Sequence, residues 1–399
     1  MKVSVLCLWV DKMLSFKEKD KQYVANTYGR FDVELVKGNG AYLYDINGKE
    51  YIDLGSGIAV NTFGAADEEW KNAVIAQLGL IQHTSNLYYT EPCGKLAELL
   101  CKKSGMKKVF FGNSGAEANE CAIKTARKYY SDNHEGKQGK IITLVNSFHG
   151  RTVTTLSATG QDVFHKDFGP FTDGFEFVPA NDCEALANAV GDDTAAVMIE
   201  LVQGEGGVNA LKQEFVDCIK SAAEKHGFLI IADEVQTGNG RTGKYFASEH
   251  FGLCPDIITT AKGLGGGLPI GACLLGEKVE FTLGASDHGS TFGGNPAVCA
   301  GAVSIVERID EKLLTEVTEK AEYTKTKLLK MDGVKSVSGL GLMIGIETEK
   351  SAKELAVACL EKGVLILTAK TKLRMLPPLN ITYEQLDKAL EILQEVLTK

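Results

Sequence analysis

Ten residues in the middle of the chain, GFLIIADEVQ, run from Gly227 to Gln236 and decide how the rest can fold. Residues 228–232 are apolar without a break, which is typical of a strand buried on both faces of a parallel sheet. The run then ends in an acid, Asp233. Ligands of open α/β sheets lie beyond the carboxyl ends of the strands, so this carboxylate is predicted to face a binding site. A Walker-B-like acid and a structural cap are the alternatives.

Strands of this kind alternate with helices through the middle of the chain. Further predicted strands are 109–111, 140–145, 195–200 and 257–260. Predicted helices are 116–130, 185–190 and 215–225. Alternation of apolar strands with amphipathic helices favours a large α/β domain, in which helices cover both faces of a mostly parallel sheet.

The two ends of the chain show a different pattern. Short alternating strands occupy residues 33–54, and a long helical stretch runs from about 300 to about 330. A glycine-rich strand pair at 339–347, another helix and a final amphipathic helix from Tyr383 follow. We therefore predict a smaller α+β domain built from both termini. The predicted divisions are an extension at 1–20, small-domain segments at 21–65 and 299–399, and a large domain at 66–298.

Composition argues against several classes of function. The 399 residues carry a formal net charge of -9, which argues against broad binding to nucleic acid or to an anionic membrane. The seven histidines show no metal-ligand spacing, so no metal site is predicted. The ten cysteines include no C-x-x-C pair and are expected to be free, reduced thiols. A cytoplasmic location is the corresponding expectation.

The N-terminus departs from this globular pattern. Residues 3–10 are an apolar run after Lys2, but no small-residue cleavage site follows it. The run is too short to span a bilayer. Because the fold-like pattern begins only after Met13, residues 1–12 are interpreted as a start-site artefact.

A second stretch, IITTAKGLGGG from Ile257 to Gly267, places a lysine between an apolar strand and a glycine loop. A lysine amine is a nucleophile only when it is neutral or already held as an imine. Glycines beside it allow a ligand to approach closely, because they carry no side chain. Lys262 is therefore a candidate catalytic amine, and a surface lysine at a strand end is the alternative.

A third stretch, GNSGAEANE at 112–120, passes from a strand through small residues into a helix. Free backbone N–H groups and the helix dipole make such a helix start an anion site, suited to a phosphate monoester. An ordinary helix start capped by Ser114 is the alternative.

A further glycine-rich stretch, GNGRTGK at 238–244, imitates nucleotide-binding motifs. The phosphate loop of nucleotide hydrolases requires Ser or Thr after the lysine, and Tyr245 stands there. The dinucleotide fingerprint requires a preceding strand, and a charged segment precedes this one. Nucleotide binding is therefore kept as a remote alternative.

Taken in order, these segments resemble the class-III, or ornithine-type, aminotransferases, from about residue 26 to the C-terminus. That family has pyridoxal-phosphate (PLP) fold type I, the aspartate-aminotransferase-like fold. GIAVN at 57–61 and HTSNLYY at 83–89 resemble the members that act on N2-acetylornithine. The resemblance implies PLP as cofactor and transfer of an amino group from N2-acetyl-L-ornithine to 2-oxoglutarate, in arginine biosynthesis. The products would be N-acetyl-L-glutamate 5-semialdehyde and L-glutamate.

The same resemblance implies how the cofactor is held. Lys262 matches the Schiff-base lysine, Asp233 the partner of the pyridine nitrogen, and Gln236 the neighbour of the ring hydroxyl. Phe148, in SFHGR at 147–151, matches the ring that stacks on PLP. The remaining cofactor contacts that it implies are Ser114, Gly115 and Ala116 at the phosphate, and Val235.

Substrate residues follow from the resemblance as well. Arg374 matches the arginine that binds a carboxylate of glutamate or 2-oxoglutarate, and Arg151 the one that binds the α-carboxylate of the ornithine derivative. Guanidinium groups suit both roles because they bind carboxylates through paired hydrogen bonds. Glu205 matches a switch residue that pairs with Arg374 while the donor presents a terminal amine, and that moves aside for glutamate.

The loop GSTFGGNP at 289–296 matches one that reaches the cofactor phosphate of a partner subunit. Thr291 would donate its hydroxyl there, with Ser290 at the substrate, so the resemblance implies a homodimer with shared sites. The sequence departs from the family at 64–69, where GAADEE replaces a common His-x-His-Pro segment. That departure lies at the site entrance and leaves other amino donors open, namely ornithine, succinylornithine and 4-aminobutyrate. An aminomutase on the same fold is a further alternative.

Overall fold

The computed structural model describes residues 14–398, so the interpretation of residues 1–12 lies outside the described residues. The strands are, in chain order, β1 (Leu35–Asn39), β2 (Tyr42–Asp45), β3 (Glu50–Asp53), β4 (Lys108–Gly112), β5 (Lys140–Leu144), β6 (Phe175–Val178), β7 (Thr194–Ile199), β8 (Val202–Gln203), β9 (Asn209–Ala210), β10 (Leu229–Asp233), β11 (Ile257–Thr260), β12 (Gly271–Leu275), β13 (Val334–Leu340), β14 (Met343–Thr348), β15 (Val364–Leu365), β16 (Leu367–Ala369) and β17 (Lys372–Met375).

The helices are α1 (Phe16–Tyr23), α2 (Ser56–Ala59), α3 (Glu68–Leu78), α4 (Glu91–Ser104), α5 (Gly115–Asn133), α6 (Val153–Ser157), α7 (Cys183–Ala189), α8 (Gln213–His226), α9 (Pro296–Arg308), α10 (Glu311–Leu328), α11 (Ala352–Glu361) and α12 (Tyr383–Thr398). Short 3₁₀ turns lie at Ser85–Leu87, Asp162–Phe164, Ala247–Phe251 and Lys262–Leu264.

A seven-stranded sheet in the order β4-β12-β11-β10-β7-β5-β6 forms the centre of the molecule. Its strands run parallel except β12, which is antiparallel to both of its neighbours. Strands β7 and β10 are buried along their whole length, which explains their unbroken apolar sequences. The predicted α/β fold with a mostly parallel sheet is therefore confirmed.

Smaller sheets are built from the two ends of the chain. One has the order β1-β2-β3-β15, in which Ile52 of β3 pairs with Val364 of β15. The other, β13-β14-β17-β16, comes from the C-terminal residues and carries Arg374 on β17. Both ends of the chain thus contribute strands to one sheet, and the division at 66–298 stays a prediction.

The helical stretch expected from about 300 to 330 is present, but the structure divides it into two helices. α9 ends at Arg308, and α10 begins at Glu311. Between them, the side chain of Asp310 accepts a hydrogen bond from the Leu313 N–H at 2.8 Å and caps α10. An aspartate stabilises the start of a helix but not its interior, so the chain turns at this residue.

The unusual segment at 64–69 has a structural role in this chain. Asp67 caps α3 by accepting from the Trp70 N–H at 2.9 Å, and it forms an ion pair with Arg308 at 2.8 Å. Gly64 has φ +85°, and a Cβ there would lie 2.4 Å from the backbone of Gly40. The segment therefore anchors α3 to α9, and only glycine fits at position 64.

The expectation that all cysteines are free thiols is wrong for one pair. Cys183 and Cys218 form a disulfide, with their Cα atoms 6.0 Å apart. Cys183 begins α7 and Cys218 lies on α8, and these helices pack side by side over the sheet. Neither cysteine is close to the other in sequence, so their pairing depends on how the two helices pack.

Removing this disulfide is expected to lower the free energy of unfolding without affecting turnover. Replacing both Cys183 and Cys218 with alanine should cost about 2–4 kcal/mol, because the bond restricts the unfolded chain. Urea denaturation of the variant and the parent measures the difference, and Cys254→Ala, at an exposed free thiol, is the matched control. An unchanged denaturation midpoint would contradict the bond.

Among residues 14–398, no helix is both long enough and apolar enough to cross a membrane. Over the same described range, no cluster of His, Cys, Asp and Glu side chains is arranged to hold a metal ion.

Candidate active site

A cavity of about 460 Å³ lies at the carboxyl edge of the large sheet. Its position follows from the topology, because the parallel strands end at that edge and five of them are followed by residues that line the cavity. The predicted site residues that line it are Ser114, Gly115, Ala116, Phe148, Arg151, Asp233, Val235, Gln236 and Lys262. The structure thus brings together residues that are up to about 150 positions apart in the sequence.

Lys262 follows β11 and lines this cavity with a half-buried side chain. Within the described residues, the amine has neither a hydrogen-bond partner nor an ion-pair partner. Burial lowers the pKa of its ammonium group, and the charge of Arg374 adds to that effect against the opposing charges of Glu205 and Asp233. A lowered pKa increases the neutral, nucleophilic fraction of the amine.

The backbone at Lys262 is strained. Its φ is +45°, a left-handed conformation that costs a residue with a side chain about 1–3 kcal/mol. The neighbouring turn is held by Thr62, whose hydroxyl donates to the Gly263 carbonyl at 2.7 Å. Strain of this kind concentrates at functional positions, where the surrounding structure fixes an otherwise unfavourable geometry.

Asp233 ends β10, the strand next to β11, and its carboxylate is held from three directions. Oδ2 accepts from Asn119 Nδ2 at 2.8 Å and lies 2.7 Å from His149 Nδ1. Oδ1 accepts from the Val235 N–H at 3.0 Å. Because a carboxylate oxygen accepts, we assign the shared proton of the histidine pair to Nδ1. These contacts fix the orientation of the buried carboxylate at the cavity wall.

Sequence reasoning missed His149, Asn119 and Glu200, which complete a buried polar cluster beneath the cavity. Burial alone would lower the pKa of His149, but its hydrogen bond and charge interaction with Asp233 raise that pKa above the ordinary value. Burial raises the pKa of Glu200 to about 7, with His149 opposing the rise and Asp233 adding to it. Glu200 follows β7 as Asp233 ends β10, and that acid at a strand end was a signal available in the sequence.

The predicted anion site lies at the start of α5, a helix of 19 residues. Ser114 caps the helix by accepting from the Glu117 N–H at 3.2 Å. Gly115 packs against Val235, since a Cβ at position 115 would lie 2.7 Å from a Val235 methyl carbon. Val235 thereby links the helix start to the strand end that carries Asp233, and the backbone N–H groups open onto the cavity.

Phe148 and Arg151 form another part of the cavity wall. Phe148 meets Phe164 edge to face, with ring centroids 5.7 Å apart. The guanidinium of Arg151 lies 5.5 Å from the Phe148 ring and 4.0 Å from the Phe164 ring. Within the described residues it forms no ion pair with a carboxylate, so two ring faces hold a cation that remains free to bind an anion.

Arg374 and Glu205 form an ion pair beside the cavity rather than in its wall. Nη1 of Arg374 lies 2.5 Å from Glu205 Oε1 and 3.2 Å from Gln236 Oε1. Arg374 is buried, and its Nε has no partner in the described part of the chain. Burial by itself would raise the pKa of Glu205, but the charge and hydrogen bond of Arg374 hold it below the ordinary value.

The predicted loop at 289–296 does not reach this cavity in its own chain. Thr291 is exposed and Ser290 is half-buried, and neither lines the cavity. Asn86 holds the loop by donating from Nδ2 to the carbonyls of Ser290 and Gly293, each at 2.8 Å. Ser290 Oγ also accepts from Nδ2 of Asn113, a cavity residue, at 3.1 Å, so the loop is anchored at the edge of the site while Thr291 stays exposed.

The glycine-rich stretch at 238–244 is packed between elements and leaves no room for a nucleotide. Arg241 is buried and donates to the carbonyls of Leu342 at 3.1 Å and Pro377 at 2.6 Å. A Cβ at Gly243 would lie 2.3 Å from the Thr318 hydroxyl, which shows how close the neighbouring helix is. Its glycines therefore serve packing, and nothing here favours the nucleotide-binding alternative.

Comparisons with known proteins agree on one family. The family model of class-III aminotransferases matches residues 23–397. Acetylornithine aminotransferase of Haemophilus ducreyi is 51% identical over 386 residues, covering 96% of this chain and 98% of that protein. The enzyme of the same name from Methanocaldococcus jannaschii is 47% identical, covering 95% and 97%.

Solved structures give the same result for the fold. N-acetylornithine aminotransferase from Stenotrophomonas maltophilia superimposes with a TM-score of 0.82 at 34% identity, covering 95% of this chain and 97% of that one. Ornithine aminotransferase from Toxoplasma gondii has a TM-score of 0.92 at 32% identity, covering 96% and 94%.

Proposed function

The chain belongs to the class-III aminotransferases, and we propose that it moves the terminal amino group of N2-acetyl-L-ornithine to 2-oxoglutarate. The products are N-acetyl-L-glutamate 5-semialdehyde and L-glutamate, which assigns the enzyme to arginine biosynthesis. The names of its relatives support this donor. The observation that carries the chemistry is a lysine amine without a partner in the described residues, in the same cavity as a buried, oriented carboxylate.

The cavity fits pyridoxal phosphate, the cofactor of this family. It combines an amine without a partner at Lys262, a fixed carboxylate at Asp233, an aromatic wall at Phe148 and a helix start with free N–H groups at Ser114 and Gly115. The amine would bind the aldehyde of the cofactor, and the carboxylate its pyridine nitrogen. The aromatic wall would cover its flat ring, and the helix start would bind its phosphate. When bound, the cofactor supplies an electron sink for the bond broken at the substrate carbon.

Lys262 and Asp233 would divide the work of proton transfer. The lowered pKa of Lys262 favours its neutral amine, which would take the proton from the substrate carbon bearing the transferred nitrogen and later return a proton. Asp233 would keep a proton on the ring nitrogen, because a fixed carboxylate stabilises the positive charge opposite it. Asn119 and His149 hold that carboxylate in position.

Two arginines would bind the substrates in turn. Arg151, which lacks a carboxylate partner in the described structure, would bind the carboxylate far from the reacting carbon. Arg374 would bind the α-carboxylate of glutamate, which is attached to the reacting carbon itself. With acetylornithine the reacting carbon has no carboxylate, so Glu205 remains paired with Arg374 and neutralises it.

A homodimer completes the proposal. The loop that carries exposed Thr291 and half-buried Ser290 would reach the cofactor phosphate and the substrate of a second subunit. Support comes from large apolar side chains that remain exposed near this loop, which a monomer rarely tolerates. They are Leu80, Leu87, Tyr88, Tyr89 and Phe292. A cytoplasmic location likewise stays a prediction.

The amino donor is tested by mixing the PLP-loaded protein with one amine at a time and following the cofactor's absorbance through a single half-reaction. N2-acetylornithine should react with the highest apparent second-order rate constant. Ornithine, succinylornithine and 4-aminobutyrate are the donors compared with it. A faster reaction with any of these three would replace acetylornithine as the donor. No reaction with any amine would remove the transaminase assignment.

Glu205→Ala is expected to weaken use of acetylornithine more than use of glutamate. Without Glu205, Arg374 is an unpaired buried cation that attracts the carboxylate of any donor and misplaces the terminal amine. The rate with glutamate should change little, because the α-carboxylate of glutamate takes the place of the Glu205 carboxylate at Arg374 in the parent enzyme as well. Half-reaction rates with both donors should show a difference of about tenfold. Equal losses with the two donors would count against the switch.

A further inference from the structure

A second cavity, here called the side cavity, lies on the other side of the aromatic wall. It has a volume of about 640 Å³, and Phe164, Glu205, Asn146 and Lys370 are among the residues that line it. Phe164 belongs to the side cavity, whereas its ring partner Phe148 faces the cofactor cavity. Glu205 faces the side cavity although its carboxylate is paired with Arg374. The carboxylate of Glu205 thus lies next to the side cavity even while it is paired with Arg374.

Lys370 supplies a cation to that space. It occupies the turn between β16 and β17, with φ +53°, four residues before Arg374 in the chain. Its Nζ donates to Asn146 Oδ1, a neutral amide oxygen. In the described part of the chain its ammonium has no carboxylate partner. The positive charge of Lys370 is therefore not neutralised, because its hydrogen-bond partner Asn146 is uncharged.

Two other polar side chains on the cavity wall are already engaged, and the exposed acid Asp162 also lines it. Nε2 of His165 lies 2.9 Å from the carbonyl oxygen of Leu156, and Gln161 donates to the carbonyl of Ser147 at 3.0 Å. Among the described residues, Lys370 is the lysine or arginine that lines this cavity, so its charge is the one available to a new anion. Asn146 also contacts the loop that carries Glu205, since a Cβ at Gly206 would lie 2.6 Å from the carbonyl oxygen of Asn146.

The chemistry of the two donors requires a place for Glu205. Glutamate brings a carboxylate on the carbon that reacts, and Arg374 can accept it only if Glu205 leaves. A carboxylate that leaves a buried guanidinium loses several kcal/mol of favourable interaction unless another cation or water replaces it. The side cavity offers both, because it is partly open to water and contains Lys370.

We propose that Lys370 is a positioning residue that receives the carboxylate of Glu205 while glutamate or 2-oxoglutarate occupies Arg374. Its charge sets how readily the enzyme accepts the dicarboxylate pair relative to the terminal-amine donor. The proposal rests on the proposed function, since it needs two substrates that differ at Arg374. It adds a residue of the small C-terminal sheet to the determinants of specificity.

The test uses the full-length holoenzyme and compares Lys370→Gln with the parent in separate half-reactions. The rate constant with glutamate, and with 2-oxoglutarate for the pyridoxamine form, should fall about fivefold, the size expected for a partly exposed ion pair. The rate with N2-acetylornithine should not change. Lys370→Arg, which keeps the charge, should restore the parent values.

A matched control is Lys372→Gln, two residues further along. That variant removes the same charge, but the ammonium of Lys372 binds Asn209 and Ser338 and does not face the side cavity. It should leave the ratio of the two donors unchanged. If Lys372→Gln changed this ratio as much as Lys370→Gln, loss of a positive charge anywhere in this region would explain both results. That outcome would overturn the proposal.

A double variant separates a direct role from a structural one. In a Glu205→Gln background no charged switch remains, so adding Lys370→Gln should have no further effect on glutamate. An effect that persists there, or an equal loss with both donors in the single variant, overturns the proposal. If the parent fails to react with acetylornithine but reacts with glutamate, the proposed donor is wrong, and the effect of Lys370 on glutamate still decides this inference.

Discussion

Lys262→Ala is expected to reduce turnover by about 10⁴-fold or more, because the variant lacks both the nucleophile and the group that moves the substrate proton. The fold should be retained, since the side chain points into an existing cavity and has no polar partner among the described residues. PLP can still bind through the helix start, Asp233 and Phe148. The absorbance of the imine should nevertheless be absent from the purified variant.

Two measurements check this result. Borohydride reduction of the parent followed by peptide mass analysis should attach the cofactor to the peptide that contains residue 262, and no such peptide should form in Lys262→Ala. Lys262→Arg is the matched control, because arginine keeps the positive charge but remains protonated and cannot form the imine. Appreciable turnover in either variant, or attachment at a different lysine, would sink the assignment of Lys262.

The positions of Asp233 and Lys262 at the sheet edge could be predicted because each follows an apolar run that is visible locally. Strands β10 and β11 are neighbours in the sheet, so two residues 29 apart in sequence meet at one cavity. Parallel strands deliver their carboxyl ends to a common edge, and this rule needs no tertiary information beyond the strands themselves.

The contacts that orient Asp233 could not be predicted in the same way. Asn119 lies on α5 and His149 in the loop after β5, and they are 114 and 84 residues away from Asp233. Which helix face and which loop residue meet the carboxylate depends on how α5 packs against the sheet. A histidine beside an aromatic residue has the same local sequence signature whether it is a core residue or a partner of a carboxylate.

The disulfide is a second contact that the sequence alone could not predict. Cys183 and Cys218 stand in sequence contexts that resemble those of the free thiols, and the expectation of reduced cysteines relied on composition alone. The spacing of α7 and α8 decides the matter, because it places the two Cα atoms within 6.0 Å. Distances between elements of this kind are set by packing and are invisible to a pattern of apolar residues.

Asp233→Asn is expected to lower the rate of each half-reaction about 10²- to 10³-fold, since the ring nitrogen would lose the charge that keeps it protonated. The substitution also disturbs the buried cluster. Both carboxylate oxygens accept hydrogen bonds, from Asn119 and His149 on one side and from the Val235 N–H on the other. An amide supplies one oxygen, so its NH₂ group must face a donor on one of these sides.

His149 should report this change directly. Its pKa is raised by the charge and hydrogen bond of Asp233, against the effect of burial, so loss of that charge should lower the pKa in the variant. The imidazole would then be neutral over a wider range of pH, which NMR titration of the histidine can follow. His149→Asn in the parent is the matched comparison, because it removes the positioning contact and keeps the carboxylate.

We expect His149→Asn to reduce the half-reaction rate far less than Asp233→Asn. The difference between the two variants separates the contribution of the Asp233 charge from that of its orientation by His149. Similar losses in the two variants would show that orientation of Asp233 by the cluster matters as much as its charge. A half-reaction rate in Asp233→Asn within a few-fold of the parent would instead show that the ring nitrogen needs no carboxylate, and the role given to Asp233 would be wrong.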